Sequence, residues 1–469
     1  MLDLSDLKGD ISPLKYFLEI SKIPRPSGHT DKISEYLVDF AKKHGLEYSR
    51  DESNNIVIRK PATPGKESSP GIIIQGHTDI VAVKDEGVEI DMTREGVSCY
   101  RDGDLIKARG TSLGGDDGVA IAYALAILAS EDIPHPAFEA VLTSDEETGL
   151  IGATKMSADN IKGRMLINID SEEEGVFLVG CAGGGRCDIL LPVSREKSDD
   201  KKWEISVFGL RGGHSGTEID KGRINAISAL CRVISDISDI RLISLSGGVA
   251  DNAIPTSATV AVSSSLLSVP ALEAAFEKMR EEDGGLQFSI KEISGGVPMT
   301  RESSLAALSL IEKTPTGVIS MSEDIKGLVE TSANIGVVST DDDGVSLTIS
   351  VRSSKDAEKL RVFDEIREVA RALGAEALVR GMYPAWEYRK DSKLRDTMCE
   401  VYRELYKKDA SVVTIHAGLE CGIFTGKIPT LDCVSIGPNN YDIHTTSERL
   451  SISSFMRVWE YLKAVMERI

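Results

Sequence analysis

One segment, residues 71–82 with the sequence GIIIQGHTDIVA, constrains the fold of this chain more than any other. Its apolar run, residues 72–74, is followed by His77, Thr78 and Asp79. In an α/β protein, a buried parallel strand carries the side chains that follow it to the carboxyl edge of the sheet, where ligands bind. Because extended chain repeats every two residues, His77 and Asp79 point to the same side. Such a pair is either an ordinary hydrogen-bonded pair or a metal-binding imidazole whose orientation a carboxylate fixes.

Two further predicted strands also end in acidic side chains. Residues 138–143 are followed by Glu146 and Glu147, and residues 165–169 are followed by Asp170. The carboxyl ends of parallel strands meet at one edge of a sheet, so we expect these side chains to converge on one crevice with those of the first strand.

A glycine-rich turn supplies another pair of acids, Asp116 and Asp117, just before a predicted helix that begins near Gly118. An acidic residue at such a place caps the helix and is favoured by its positive end. Two acids exceed what capping needs. We therefore expect Asp117 to be the cap or a supporting partner, and Asp116 to face the crevice.

The chain is long enough for at least two domains, because 469 residues exceed the size at which a single core keeps growing. Near both ends of the chain, short continuous apolar runs indicate strands that are buried on both faces. Between them, strands such as residues 203–208 alternate apolar and polar side chains, as half-exposed strands do. The order of strands and helices there is a β-α-β-β-α-β pattern, and a second, diverged set of that kind follows. We predict an α/β fold with a discontinuous domain, residues 1–185 and 386–469, whose mixed, mostly parallel sheet has helices on both faces. An inserted α+β domain, residues 186–385, interrupts it, and its pattern suggests a duplication.

Charge and cysteine content narrow the classes of function. The formal net charge of −20 argues against a nucleic-acid partner, which needs a basic face. The seven cysteines are scattered without a Cys-x-x-Cys pair, as expected for reduced thiols in the cytoplasm. No stretch has the apolar length needed to cross a bilayer, and the acidic N-terminus lacks the pattern of a signal peptide. We therefore predict a cytoplasmic protein without nucleic-acid or membrane partners.

The potential metal ligands form a complete set for two ions. They are two imidazoles and three carboxylates: His77, His444, Asp116, Glu147 and Asp170. One bridging carboxylate, with a histidine and a carboxylate for each ion, suits two zinc ions and leaves room for water. The adjacent Glu146 and Glu147 suit a division of labour, in which one holds a metal ion and the other is the general base, because a carboxylate that holds a metal is poorly placed to take a proton.

These motifs resemble those of the M20 family of co-catalytic metallopeptidases. The matching segments are His77-x-Asp79, GDDG at 115–118, DEETG at 145–149, NIDSE at 168–172, GGHSG at 212–216, and His444. Residues 170–175, 180–184 and 416–422 resemble more narrowly the aminoacyl-histidine dipeptidase branch (peptidase D, the Xaa-His dipeptidases). The resemblance extends from about residue 23 to the C-terminus. It departs from the branch at Asp117, where branch members often carry asparagine, and at residues 80–84.

The resemblance assigns the ligands to two zinc ions. It implies that His77 and Asp170 bind one ion and that Glu147 and His444 bind the other. Asp116 would bridge the two ions.

The resemblance also implies which residues act beside the metal ions. Glu146 would be the general base, and Asp79 would orient the imidazole of His77. His214, in the inserted lid domain, would stabilise the oxyanion, either from the partner subunit of a homodimer or from a doubled lid in the same chain. The residues expected to hold the substrate are Asn252, Gly418 and Glu420.

The implied function is that of a two-zinc exopeptidase that hydrolyses dipeptides, of the Xaa-His type or of broad specificity, with a metal-activated water as nucleophile. Mn²⁺ or Co²⁺ could replace zinc, and a homodimer through the lid domain is expected. Two alternatives stay open. One is a tripeptidase or an N-acyl amino-acid hydrolase that uses the same centre, and the other is an inactive binding homologue.

Overall fold

The computed structural model describes residues 4–323 and 325–469, which form two compact units. The first unit contains the described residues up to Gly180, together with Tyr388–Thr414 and Leu419–Ile469. The second contains the described residues of Cys181–Glu387, together with Ile415–Gly418. The predicted domain bounds differ from this division by a few residues at each junction, and they stay a prediction. Residues 1–3 and 324, which fall inside the predicted domains, lie outside the described residues.

The described residues form eleven α-helices and one short 3-10 helix, Ala158–Asn160. The α-helices are α1 (Ser12–Ile20), α2 (Asp31–Lys43), α3 (Gly115–Ala129), α4 (Ile151–Lys155), α5 (Ala226–Ser235), α6 (Val269–Arg280), α7 (Arg301–Lys313), α8 (Asp356–Ala372), α9 (Lys393–Tyr406), α10 (Glu420–Lys427) and α11 (Ile452–Arg468).

The strands of the described chain are β1 (Glu47–Arg50), β2 (Ile56–Lys60), β3 (Ile72–His77), β4 (Cys99–Asp102), β5 (Leu105–Ala108), β6 (Phe138–Thr143), β7 (Met165–Asn168), β8 (Val176–Cys181), β9 (Gly183–Leu191), β10 (Lys202–Phe208), β11 (Gly213–His214), β12 (Arg241–Gly247), β13 (Ala253–Ile254), β14 (Ala258–Ser263), β15 (Gln287–Ile293), β16 (Gly317–Met321), β17 (Val329–Thr340), β18 (Val345–Ser353), β19 (Glu376–Tyr383), β20 (Ser411–Ile415), β21 (Asp432–Ser435), β22 (Asn440–Tyr441) and β23 (Arg449–Ser451).

The first unit is built on an eight-stranded mixed sheet with the order β1-β2-β6-β3-β7-β21-β8-β20. Its four central strands, β6, β3, β7 and β21, pair in parallel, whereas β1, β2 and β8 pair antiparallel with their neighbours. Every residue of β3, β6 and β7 is buried, as expected for strands covered on both faces. The predicted α/β fold class is confirmed. The parallel register places His77 beside Thr143, so the ends of β3 and β6 lie at one edge.

Helix α3 packs closely behind this edge. Asp116 and Asp117 depart from helical backbone angles, so regular helix begins at Gly118, as the sequence predicts. Small residues let α3 approach β3: a Cβ atom at Gly76 would overlap the Cβ of Ala120 and the carboxylate of Asp117. The turn that carries the two acids is therefore held directly against the end of β3.

A second, four-stranded sheet lies in the first unit, with the order β22-β23-β5-β4. Strands β22 and β23 pair antiparallel through Asn440 with Leu450 and Tyr441 with Arg449. The chain between them forms a loop that contains His444 and ends at Glu448.

The second unit contains a nine-stranded sheet, in which eight strands form two sets of four and the ninth, β16, pairs with β17. One set has the spatial order β15-β10-β14-β12, and the other has β19-β9-β18-β17. If the four strands of each set are numbered by their order in the chain, the spatial order is 4-1-3-2 in both sets, with strand 4 at the outer edge of the sheet. The second set takes its first strand, β9, from before the first set in sequence. No sequence pattern indicated this role for β9, because more than 150 residues separate it from its partner β18.

Among the described residues, no helix combines the length and the apolar character needed to cross a membrane. No disulfide joins any two of the cysteines in the described part of the chain.

Candidate active site

Five segments of the first unit bring the predicted metal ligands together at one edge of the sheet. His77 ends β3, and Asp170 follows β7, the parallel neighbour of β3. Glu147 follows β6, which pairs with the other side of β3. Asp116 lies in the turn that opens α3, and His444 lies in the loop between β22 and β23.

The carboxylate of Asp116 lies between the two imidazoles. Its Oδ1 is 2.9 Å from Nε2 of His77, and its Oδ2 is 3.0 Å from Nε2 of His444. The same His444 nitrogen is 2.9 Å from Oε1 of Glu147, and the His77 nitrogen is 3.9 Å from Oδ1 of Asp170. Asp116 thus offers one oxygen to each of two adjoining groups, which is the arrangement of a bridging ligand.

Within residues 4–323 and 325–469, three sets of side chains are close enough to hold a metal ion, with their donor atoms within 4.8 Å of one another. They are His77, Asp116 and Asp170; Asp116, Glu147 and His444; and His77, Glu146 and Glu147. Ligands in tetrahedral coordination at about 2.1 Å from zinc stand about 3.4 Å apart. The distances between the donor atoms given above, 2.9, 3.0 and 3.9 Å, fall on either side of that value. The first two sets therefore fit two ions that share Asp116.

The geometry also distinguishes the two adjacent glutamates. Glu147 contacts His444 at 2.9 Å and belongs to two of the three sets, whereas Glu146 belongs to one. Burial raises the pKa of Glu146 to about 8. The two residues thus differ in their surroundings although they are neighbours in sequence.

The candidate metal centre contains more carboxylates than imidazoles, and this excess of acidic groups favours the binding of cations. Hydrogen bonds to Asp116 and Glu147 raise the pKa of His444 to about 10. Burial raises the pKa of Asp170 well above its usual value, and the neighbouring Asp116 carboxylate adds to this effect. A divalent cation would neutralise this excess of negative charge.

The side chain of Asp79 is fully buried and contacts both the His77 ring and the loop that carries Glu146 and Glu147. Its Oδ1 is 3.5 Å from Nδ1 of His77, consistent with the predicted orienting role. The carboxylate also accepts hydrogen bonds from the backbone N–H groups of Glu146, at 3.1 Å, and Glu147, at 3.3 Å. The Ser27 hydroxyl donates a further bond of 2.8 Å. Asp79 therefore also fixes the loop after β6, which was not predicted.

Asp117 is buried behind the centre. Its Oδ1 accepts the Ala120 N–H of α3, and its Oδ2 accepts the backbone N–H of His77. These contacts are those of a helix cap and a supporting partner.

His214 lies in the second unit, on the short strand β11, which pairs with β13. Its Nδ1 accepts the backbone N–H groups of Gly216 and Thr217, each at 3.2 Å. A neutral imidazole with Nδ1 as acceptor carries its proton on Nε2. Burial lowers the pKa of His214, which favours this neutral form. The ring is thus prepared to donate one hydrogen bond through Nε2.

The three predicted substrate residues have different environments. Asn252 is exposed beside β13, and its carbonyl oxygen accepts the Ser215 N–H at 2.8 Å. Gly418 packs on Tyr383 of the second unit, since a Cβ atom there would lie 2.7 Å from the ring.

Glu420 belongs to the first unit and is fully buried. Its Oε2 accepts hydrogen bonds from Gln75 at 2.5 Å and Thr143 at 2.6 Å, and its Oε1 has no partner among the described residues. Burial raises the pKa of Glu420 to about 7. The carboxylate is thus bound to the ends of β3 and β6, and its expected contact with the substrate stays a prediction.

His416, the remaining histidine of the predicted motifs, lies in the second unit. Its Nε2 is 2.7 Å from the Ser332 hydroxyl, and burial lowers its pKa to about 4. These features are those of a structural histidine.

Two buried charged residues near the centre, Arg25 and Glu448, carry no motif that marks them in the sequence. Arg25 is 2% exposed and Glu448 is 3% exposed. Buried charges are rare unless they have specific partners. The position of Arg25 between two prolines and of Glu448 four residues after His444 is the only local signal.

An α/β sheet whose strand ends gather two adjoining sets of histidine and carboxylate is typical of hydrolases with two metal ions. Residues 73–468 match the model of peptidase family M20/M25/M40, and the chain belongs to this family. The family predicted from the motifs is confirmed, and with it the peptidase class.

Two relatives match over nearly their whole length. The chain is 36% identical over 467 residues to the cytosol non-specific dipeptidase of Escherichia coli (strain K12), covering 97% of this chain and 96% of the relative. An aminoacylhistidine dipeptidase from Vibrio alginolyticus has a solved structure with a TM-score of 0.91 and 33% identity, covering 99% of each chain. The aminopeptidase PepT from Bacillus cereus, at a TM-score of 0.62 and 17% identity over 97% of this chain and 98% of that one, has a similar fold.

Proposed function

We propose that this protein is a dipeptidase that uses two divalent metal ions and that these ions are zinc. The observation that carries the proposal is the position of Asp116, with one oxygen near His77 and the other near His444. The names of the Escherichia coli and Vibrio alginolyticus relatives both describe dipeptidases, which supports the substrate class. The first relative is named as a cytosolic protein, and we extend that location to this chain.

The proposed ligand roles follow the distances. His77 and Asp170 hold one ion, Glu147 and His444 hold the other, and Asp116 is shared. Bound zinc supplies Lewis acidity and makes water acidic enough to serve as a nucleophile near neutral pH. Manganese or cobalt would fit the same nitrogen and oxygen donors.

Glu146 is the proposed general base. It takes a proton from the attacking water and returns it to the leaving amine of the dipeptide. Asp79 supports this role because its carboxylate fixes the backbone of Glu146 while lying 3.5 Å from the His77 ring.

His214 is proposed to stabilise the oxyanion through its Nε2–H. The hydrogen bonds to Nδ1 support this role because they leave the other nitrogen as a donor. The proposal leaves open whether this histidine acts in its own chain or in a homodimer through the second unit. Asn252 and Gly418 stay proposed substrate contacts, while the buried carboxylate of Glu420 supports a structural role better.

The two relatives favour different specificities, since one is named non-specific and the other aminoacylhistidine dipeptidase. We propose a dipeptidase that includes Xaa-His dipeptides among its substrates. Hydrolysis of a panel of dipeptides, tripeptides and N-acyl amino acids tests this directly. Preference for tripeptides or acyl amino acids would replace the proposal with one of those activities, and the absence of both hydrolysis and bound metal would indicate a binding homologue.

The substitution Glu146→Gln tests the mechanism, with the adjacent Glu147→Gln as its matched control. We expect E146Q to lower kcat by about 10²–10⁴-fold, because a general base contributes that much, while two metal ions remain bound. E147Q should instead lose metal, because Glu147 contacts His444. Turnover and metal content by atomic emission are measured on both. Near-normal turnover of E146Q would contradict the assignment of the base.

A further inference from the structure

Glu448 receives an unusual number of backbone hydrogen bonds. Its Oε2 accepts the N–H groups of Leu113 at 2.7 Å and Gly114 at 2.9 Å. Its Oε1 accepts those of Gly115 at 2.8 Å and Asp116 at 3.3 Å. Four successive amides of the turn before α3 thus converge on one buried carboxylate, which is how backbone groups usually bind an anion.

Asn440 adds a fifth donor to this carboxylate, at 3.2 Å from Oε1. Asn440 lies in β22 and Glu448 immediately precedes β23, so the two residues close the loop that carries His444. His444 itself has a φ of 60°, which is uncommon for residues other than glycine, and it lies in the loop whose two ends these contacts anchor.

Arg25 holds the same turn from its other side. Its Nη2 donates to the carbonyl oxygen of Gly114 at 2.7 Å, and its Nη1 donates to that of Thr78 at 2.9 Å. A Cβ atom at Gly118 would lie 2.6 Å from Nη2, so glycine leaves the space that the guanidinium fills. Thr78 directly follows His77, so Arg25 connects the end of β3 to the turn that carries Asp116.

The three segments joined by Arg25 and Glu448 are those that carry the proposed shared ligand and both imidazoles. The geometry points to Arg25 and Glu448 as positioning residues of the metal centre, which set the spacing of His77, Asp116 and His444 before a metal binds. Neither residue supplies a ligand atom. This inference rests on the proposed function, since it concerns the same centre.

An isolated buried charge costs more than a neutral residue of similar size unless it is fully hydrogen-bonded. Both groups have the bonds that offset this cost, and all these bonds are directed at ligand-bearing segments. A purely structural anchor would affect folding stability alone. A positioning residue also affects metal affinity, typically by about 10–100-fold for groups that support the ligands.

The test compares Glu448→Gln with Glu139→Gln in the full-length protein. Glu139 is a matched control because it is also buried in the first unit and accepts backbone N–H groups, from Lys162 at 2.9 Å and Gly163 at 2.7 Å. It lies at the opposite end of β6 from the candidate centre. The amide of glutamine presents a donor where the native carboxylate accepts, so each variant loses backbone hydrogen bonds of the same kind. E139Q also loses the charge that Glu139 presents to Arg59 at 2.9 Å, which makes it the harsher control for stability.

Zinc affinity is measured by competition with a chromophoric chelator, and the stability of the metal-free proteins by urea unfolding. We expect both variants to unfold at lower urea, while only E448Q binds zinc about 10–100-fold more weakly than the wild type. Unchanged zinc affinity in E448Q, or an equal loss in E139Q, would overturn the inference.

The substitution Arg25→Lys provides a second test if E448Q does not fold. A lysine ammonium lacks the fork that reaches two carbonyl groups at once, so we expect the same range of lost affinity. Wild-type affinity in R25K would likewise overturn the inference. A wild-type protein that binds none of zinc, manganese and cobalt would instead reject the proposed function, and that result is obtained before any variant is made.

Discussion

His214 and His416 lie in the same unit, but the partners of their ring nitrogens differ. Nε2 of His416 bonds to Ser332 and its Nδ1 is buried, so neither nitrogen is positioned to meet a ligand. Nδ1 of His214 accepts two backbone N–H groups, which leaves Nε2 as a donor. The two histidines therefore have different chemical capacities.

Replacing His214 with alanine tests this difference. We expect H214A to lower kcat by about 10²–10³-fold, the usual effect of removing one oxyanion donor, while zinc content stays at the wild-type level. Thr217→Ala is the control, because it removes a hydroxyl 3.3 Å from Nδ1 and leaves the ring and its backbone donors in place. Steady-state kinetics and metal analysis are compared for both. Equal losses in the two variants, or loss of zinc in H214A, would reject the role.

At the scale of elements, the strands that carry the ligands could be predicted because their signals are local. Residues 72–74, 138–143 and 165–169 are apolar runs followed by polar side chains, and the parallel pairing of β3, β6 and β7 brings their ends together. Such patterns need no knowledge of distant chain.

The contacts between these elements could not be predicted in the same way. Glu448 bonds to a turn more than 330 positions earlier, and Glu420 accepts hydrogen bonds from Gln75 and Thr143, which lie more than 270 positions earlier. Strand β9 joins a set whose other strands follow much later in the chain. In each case the partner is chosen by tertiary packing, and the residue has no local pattern that specifies it.

The close approach of α3 and β3 leads to a prediction about Gly76. Gly76→Ala would force its methyl group into Ala120 and the Asp117 carboxylate, so the helix must shift. Overpacking of this kind costs about 1–3 kcal/mol, and we expect the free energy of unfolding of the first unit to fall by that amount. Gly284→Ala is the control, because a Cβ atom there meets nothing within 4 Å. Urea unfolding checks both, and equal stability of the two variants would contradict the proposed packing.

At the scale of the whole molecule, the described residues form two separate hydrophobic cores. One includes Phe17, Tyr123 and Trp459 and lies in the first unit. The other includes Phe276, Ile335 and Phe363 and lies in the second. A unit with its own core can unfold by itself, so a single unfolding free energy does not describe this chain.

Metal removal should therefore act on one unit and leave the other unchanged. All the candidate ligands belong to the first unit, and a ligand that binds only the folded state stabilises it by mass action. At free zinc about 100-fold above the dissociation constant, we expect the first unit to gain about 2.7 kcal/mol for each bound ion, which a chelator reverses. Hydrogen exchange, measured peptide by peptide, reports the stability of the two units separately in one experiment. In His444→Ala, which lacks one proposed ligand, we expect zinc to stabilise the first unit less. Equal protection of both units by zinc, or protection of the second alone, would contradict the assignment of the metal centre to the first unit.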